Sequence, residues 1–384
     1  MRSVQWMITG RCNLRCRHCY LGGLEGAGLA SEPSLDRLLR IMDQMWEAGI
    51  REVVLTGGEP LIRRDIRQVF EALTRREIRV SRVMTNGLLL TEDFLSFLED
   101  LGQRPVFNIS YDGAGGAHDA LRGSRGAGAA VLQAFSLCRR RGFATASDMT
   151  VDAESAQYLR QSVRALADHG CGLIKAVPFL PLGNGAKEDA RLRITGEQFL
   201  DLVCAYIPEY YGDGIASTLY LGSLFYGEGS DGGWTIPALA PESSRDPAAM
   251  SLCSRDSMLP FLSGTGRLMP CAGMIGLEKF TGPFVSVEEA GFEAARRGDA
   301  FRKAVAYTVA DQRRRNPECG ACPFALSCGG GCRVTAMAWE GDFSGRDPFV
   351  CAFFRHNGRQ RIREAVSAGL LTRIRQHVQI DGQP

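Results

Sequence analysis

Arg11-Cys12-Asn13-Leu14-Arg15-Cys16-Arg17-His18-Cys19-Tyr20 decides how the rest of this 384-residue chain is read. Its C-x3-C-x2-C spacing packs three thiols into one loop, too few and too close for a closed four-ligand site. Three sulfurs can hold three corners of a [4Fe–4S] cube and leave the fourth iron open to another ligand. A cluster with a free iron is a reactive site rather than a structural one. The same cysteines also suit a zinc loop or a disulfide knot. Tetrahedral zinc needs a fourth Cys or His, and His18 lies within the same tight loop.

Outward from this loop the chain alternates strand and helix. Ser3 to Thr9 is an apolar run that ends at the cysteines and reads as a first strand. Ser34 reads as an N-cap, followed by Leu35, Leu38, Leu39, Met42 and Met45 at helical spacing, with Gly49 at the stop. Further strands are expected at Glu52 to Thr56, Arg79 to Thr85, Val106 to Ser110, Phe143 to Val151 and Leu173 to Val177. Helices are expected around Asp65 to Arg75, Glu92 to Leu101, Gly128 to Arg141, Ser155 to His169 and Gly196 to Tyr210. Six β-α units in a row imply an α/β fold with a parallel sheet, an open (β/α)6 relative of the TIM barrel. Such folds gather chemistry at the C-terminal ends of their strands. The motifs fall there: the cysteine loop after strand one, Gly57-Gly58-Glu59-Pro60 after strand two, Asn86-Gly87 after strand three, and Ser110-Tyr111-Asp112-Gly113 at the end of strand four.

Composition sets the remaining limits. Apolar residues at 45% and charged residues at 23% describe an ordinary globular protein, and a net charge of +2 argues against a nucleic-acid binder. The basic runs Arg139 to Arg141 and Arg313 to Arg315 read as solvated helix ends. No apolar stretch is long enough to span a bilayer, so no membrane role is expected. Thirteen cysteines without an export signal point to metal binding in a reducing, cytoplasmic compartment.

The cysteine loop, together with Gly57-Gly58-Glu59-Pro60 one strand later, resembles the radical SAM superfamily. That resemblance implies an open iron that takes the amino and carboxylate groups of S-adenosylmethionine (SAM). One electron then breaks a C–S bond, and the resulting 5′-deoxyadenosyl radical removes a hydrogen atom from substrate. It implies that Cys12, Cys16 and Cys19 hold the cluster, and that Gly57, Gly58, Glu59 and Pro60 bind the SAM amino group. His18 stands where an aromatic residue packs near adenine. Ser110 and Asp112 are placed for polar SAM contacts, although Asp before Gly also caps turns. Arg122, in His118-Asp119-Ala120-Leu121-Arg122-Gly123, pairs with the SAM carboxylate or makes a surface ion pair. Val177-Pro178 through Gly183 resembles the strand end that borders adenine.

A second signature follows. Cys319-x2-Cys322-x5-Cys328-x3-Cys332 precedes Cys351 and follows Cys253-x12-Gly266-x4-Cys271. This seven-cysteine pattern resembles the SPASM domain, which carries two auxiliary iron–sulfur clusters. The resemblance assigns Cys319, Cys322, Cys328 and Cys351 to one auxiliary [4Fe–4S] cluster. It gives Cys253, Cys271 and Cys332 to the other, whose fourth iron is open or takes an eighth ligand such as Asp256. Cys138, Cys171 and Cys204 read as small buried core residues. The expected division is a radical SAM core over 1–215, a bridging segment over 216–250 and the auxiliary-cluster domain over 251–384, closed by a helix from Gly358 to Val378.

Auxiliary clusters able to accept an electron favour net oxidation or cross-linking over isomerisation. The pairing of domains implies a ribosomally made peptide as substrate, a natural-product precursor, and an electron donor such as flavodoxin or ferredoxin. Only eleven residues precede Cys12, so leader recognition is expected from a separate leader-binding protein or another surface. Ala272 stands where sulfatase maturases carry an Asp base, which counts against that activity. A small cofactor precursor is the alternative substrate. An iron–sulfur electron carrier without SAM chemistry is the non-enzymatic alternative.

Overall fold

A computed structural model describes residues 1–22, 32–238, 246–253 and 259–381. The six expected strands form as β1 (Ser3–Met7), β2 (Glu52–Thr56), β3 (Arg79–Thr85), β4 (Val106–Ile109), β5 (Thr145–Val151) and β6 (Leu173–Pro178). Between them run α1 (Leu35–Glu47), α2 (Ile66–Arg75), α3 (Glu92–Asp100), α4 (Ala117–Arg122), α5 (Ala127–Arg140) and α6 (Leu159–Asp168), and α7 (Gly196–Gly212) follows β6. The local chemistry explains the boundaries. Ser34 caps α1 by accepting from Arg37 N, and Gly49 leaves it with φ of 76°. Thr195 and Gln198 close a capping box on α7.

The sheet runs β11 (Leu268–Met269), β10 (Phe261–Leu262), β1, β2, β3, β4, β5, β6, β7 (Thr218–Leu221), β8 (Phe225–Gly227) and β9 (Trp234–Thr235), parallel throughout β1 to β6. Its registers, such as Met7 opposite Thr56 and Thr85 opposite Ile109, align the C-terminal strand ends along one rim. The pleat sorts the side chains. Val4, Trp6, Val53, Leu55, Val83, Phe107, Ile109, Met149 and Val151 are buried in the core, whereas Gln5, Met7, Thr56, Met84, Asp148 and Thr150 face a cavity.

Two features differ from the expectation. The bridging segment expected over 216–250 carries β7 (Thr218–Leu221), β8 (Phe225–Gly227) and β9 (Trp234–Thr235), which extend the sheet beyond β6. Its aromatics are short-spaced and its glycines frequent, so the alternation that marks a strand is only a few residues long. The second feature is the hairpin β10 (Phe261–Leu262) and β11 (Leu268–Met269), which pairs parallel to β1 and covers the opposite edge. Gly266 makes its turn with φ of 81°, and a Cβ there would lie 2.6 Å from the Glu288 carboxylate. The final helix, Gly358–Asp381, packs on α7, as does the helix Pro348–Arg355. No helix among the described residues is long and apolar enough to cross a membrane.

Candidate active site

The cysteine loop leaves β1 at the rim and is tied down on both sides. Asn184 donates its backbone N–H to Cys19 O at 2.9 Å and its side chain to Cys16 O at 3.2 Å. Arg17 N donates to Leu121 O of α4 at 2.9 Å. Cys12, Cys16 and Cys19 line a cavity of about 620 Å³ together with His18, Gly57, Gly58, Ser110 and Arg122. Burial raises the Cys12 thiol and pushes Cys16 to about 11, and each thiol is raised further by its neighbours in the loop. Binding iron therefore displaces protons from these sulfurs. Among the described residues no three His, Cys, Asp or Glu side chains converge on a single metal ion.

The glycines of Gly57-Gly58 are required by this loop. Gly58 N donates to Thr9 O and Glu59 N to Arg11 O, at 2.9 and 2.8 Å. A Cβ at Gly57 or Gly58 would stand 2.5 Å from Thr9 O or 2.3 Å from Arg11 O. Their own carbonyls accept no hydrogen bond among the described residues.

Glu59, Pro60 and Asp112, which the resemblance offers as ligand contacts, are not among the residues that line the cavity. Glu59 is fully buried and accepts from Thr85 Oγ1 at 2.8 Å, Asn86 N at 2.7 Å and Leu61 N at 3.1 Å. Burial pushes its carboxyl up to about 7 against those three donors. It joins the ends of β2 and β3. Pro60 opens the buried 3₁₀ turn Pro60–Ile62. Asp112 is 1% exposed and stands behind Arg122, accepting from its Nε at 2.5 Å and from Thr150 N at 3.0 Å. Burial works to raise the Asp112 carboxyl, but the Arg122 guanidinium and the nearby His18 hold it well below the usual range.

Arg122 ends α4, where Gly123 turns left-handed with φ of 65°. Its Nη1 lies 3.8 Å from Cys16 Sγ. The surface ion pair is therefore ruled out for Arg122, whose side chain is 11% exposed and whose partner is interior. His18 faces the same carboxylate, with Nε2 3.8 Å from Asp112 Oδ2. His118, which the sequence offers only as part of a motif, accepts from Asp112 N through Nδ1 at 3.1 Å and stacks on Tyr111. Burial drives its ring down to about 4, with Asp112 opposing.

In the C-terminal half, Cys319, Cys322, Cys328 and Cys351 line one pocket with Gln312, Arg346 and Phe354. Cys253, Cys271 and Cys332 form the other group. Burial pushes the Cys253 thiol to about 12, and Cys332 and Cys271 add to the effect. Asp256, the candidate eighth ligand, lies outside the described residues. Burial raises the Tyr20 hydroxyl, and Cys19 and Cys271 add to the effect. Cys138 and Cys171 are buried, and Cys204 is half-buried.

Sequence reasoning missed the residues that support these thiols. Gln312 Nε2 donates to Cys319 Sγ at 3.4 Å while its Oε1 accepts from the buried Arg333 at 2.9 Å. Asp347 accepts from Cys332 N at 2.9 Å, Phe349 N at 3.0 Å and Val350 N at 3.3 Å, tying one cysteine group to the helix that carries Cys351. Asp347-Pro348 is a helix-start signature and could have been found. Nothing in the sequence marks Gln312.

Residues 6–166 match the Radical SAM superfamily. Over 362 residues the chain is 24% identical to the AdoMet-dependent heme synthase of Methanosarcina barkeri (strain Fusaro / DSM 804), covering 91% of this chain and 95% of that protein. It is 26% identical over 389 residues to the PqqA peptide cyclase of Granulibacter bethesdensis (strain ATCC BAA-1260 / CGDNIH1), covering 94% and 89%. The structure of anSMEcpe with bound AdoMet and Cp18Cys peptide superposes with a TM-score of 0.70 at 16% identity, over 94% of this chain and 98% of that one. At that identity the likeness is one of fold.

Proposed function

This chain is a radical SAM enzyme, and we propose that it oxidises or cross-links a ribosomally made peptide. Cys12, Cys16 and Cys19 hold the SAM-binding [4Fe–4S] cluster in this reading, and the seven C-terminal cysteines hold two auxiliary clusters. When bound, the first cluster and SAM supply reductive cleavage and hydrogen-atom removal. The residues of the chain do the rest. The free carbonyls of Gly57 and Gly58 receive the ammonium of the SAM methionine, and Glu59 fixes them by bracing β2 against β3. Ser110 and His18 line the space for ribose and adenine.

The observation that carries the reading is the pocket lined by Cys319, Cys322, Cys328 and Cys351. A cluster held there would give an electron left on substrate an acceptor. The heme synthase relative favours a second reading, a tetrapyrrole or other cofactor precursor as substrate. Anaerobic enzyme with a reductant and SAM is offered a short peptide encoded beside its gene and, separately, an iron tetrapyrrole. Loss of hydrogens from the peptide mass, absent with Cys12→Ala, supports the first reading. Change in the tetrapyrrole alone supports the second.

A further inference from the structure

We propose that the buried pair Asp112–Arg122 sets the reduction potential of the cluster held by Cys12, Cys16 and Cys19. The inference rests on that cluster assignment and adds a role for Arg122 that does not depend on SAM. Arg122 has five N–H donors in a planar fork. Its Nε is committed to Asp112 at 2.5 Å, which orients the plane, and its Nη1 is aimed at Cys16 Sγ at 3.8 Å. The position is over-determined. Asp112 is fixed by Thr150 N at 3.0 Å and by its own N–H to His118 at 3.1 Å. The loop bearing Cys16 is fixed to α4 by the Arg17 N to Leu121 O bond at 2.9 Å. With Asp112 unexposed and the Arg122 side chain 11% exposed, solvent screens this cation poorly.

A hydrogen bond and a positive charge at a ligating sulfur stabilise the reduced, more negative cluster and raise its potential. Asp112, one group further out, offsets part of that charge. The two side chains therefore act in opposite directions on the same sulfur, Arg122 upward and Asp112 downward. Both are positioning residues.

The test is a redox titration of the anaerobically reconstituted, SAM-free enzyme, followed by the EPR signal that Cys12→Ala removes. With Arg122→Gln, the reduced-to-oxidised ratio at fixed potential falls about tenfold, a shift of about 59 mV for one electron. With Asp112→Asn the ratio rises. Arg122→Lys keeps the charge and recovers most of the wild-type ratio. Opposite shifts from two touching residues are not the mark of general unfolding. The proposal is overturned if Arg122→Gln and Asp112→Asn leave the SAM-free titration unchanged and only SAM binding weakens, or if both shift it the same way. Wild-type protein with no EPR signal sensitive to Cys12→Ala would overturn the cluster assignment as well.

Discussion

The barrel rim and the C-terminal half both gather thiols, by different means. At the rim three cysteines come from one loop, and their surroundings are supplied by strand ends close in space but far apart in sequence: Gly57, Gly58, Ser110 and Arg122. In the C-terminal half seven cysteines spread from Cys253 to Cys351 are gathered by short helices, left-handed glycines and one buried carboxylate. The charges differ too. A guanidinium reaches Cys16 directly, whereas Arg333 is separated from Cys319 by the neutral Gln312. The hydrogen bond to Cys16 thus comes from a formal charge and the one to Cys319 from a neutral amide. In the proposed reading one site is reactive and the other supports it.

The largest expected effects test that division. Cys12→Ala and Cys351→Ala should each lower iron content by about four atoms, one cube. Only Cys12→Ala should abolish 5′-deoxyadenosine formation, measured by chromatography of an anaerobic reaction with SAM. Equal loss in both variants would erase the distinction between reactive and supporting sites.

Next come the two buried carboxylates, Glu59 and Asp347, each of which gathers three donors. Glu59→Ala strands those donors in the core and should cost about 3–5 kcal/mol in denaturant unfolding. Asp347→Ala should cost about as much, but its iron loss should fall on the C-terminal clusters and spare SAM cleavage. If Asp347→Ala removed the rim cluster instead, the two halves would have to be a single cooperative unit.

A smaller effect depends on pH. The unfolded chain takes up a proton at His118 near 6.5 and the folded chain only near 4. Between those values the unfolded state binds more protons, so stability falls as the pH drops through the window, by up to about 3 kcal/mol. His118→Gln should flatten that slope, and an unchanged slope would place the acid sensitivity elsewhere. Smallest is Gln312→Leu, which should shift the potential of the cluster at Cys319 less than Arg122→Gln shifts the rim cluster. A larger shift would reverse the contrast between charge and dipole.

Much of the barrel is legible in the sequence because its strands and helices each satisfy a local rule. β2 and β3 have the expected bounds, and Ser34 and Gly49 bracket α1 through their own hydrogen bonding and φ. The thiols are legible because residue type and spacing can be read without tertiary structure. Asp112 shows where this ends. The sequence places it at a strand end, but its direction is decided by Arg122, ten residues on, and by Thr150 on the next strand. Glu59 is similar: the motif suggests an acceptor facing ligand, while the registers of β2 and β3 turn it inward. The short strands β7 to β10 escaped because two to four residues carry no period.

The hairpin at Phe261–Leu262 has a consequence in time. It supplies the parallel neighbour of β1, so the outer edge of the first strand made stays unpaired until residues from the second half of the chain have left the ribosome. At about 5–20 residues per second that is an interval on the order of tens of seconds. During it β1 is open to unwanted pairing with another chain.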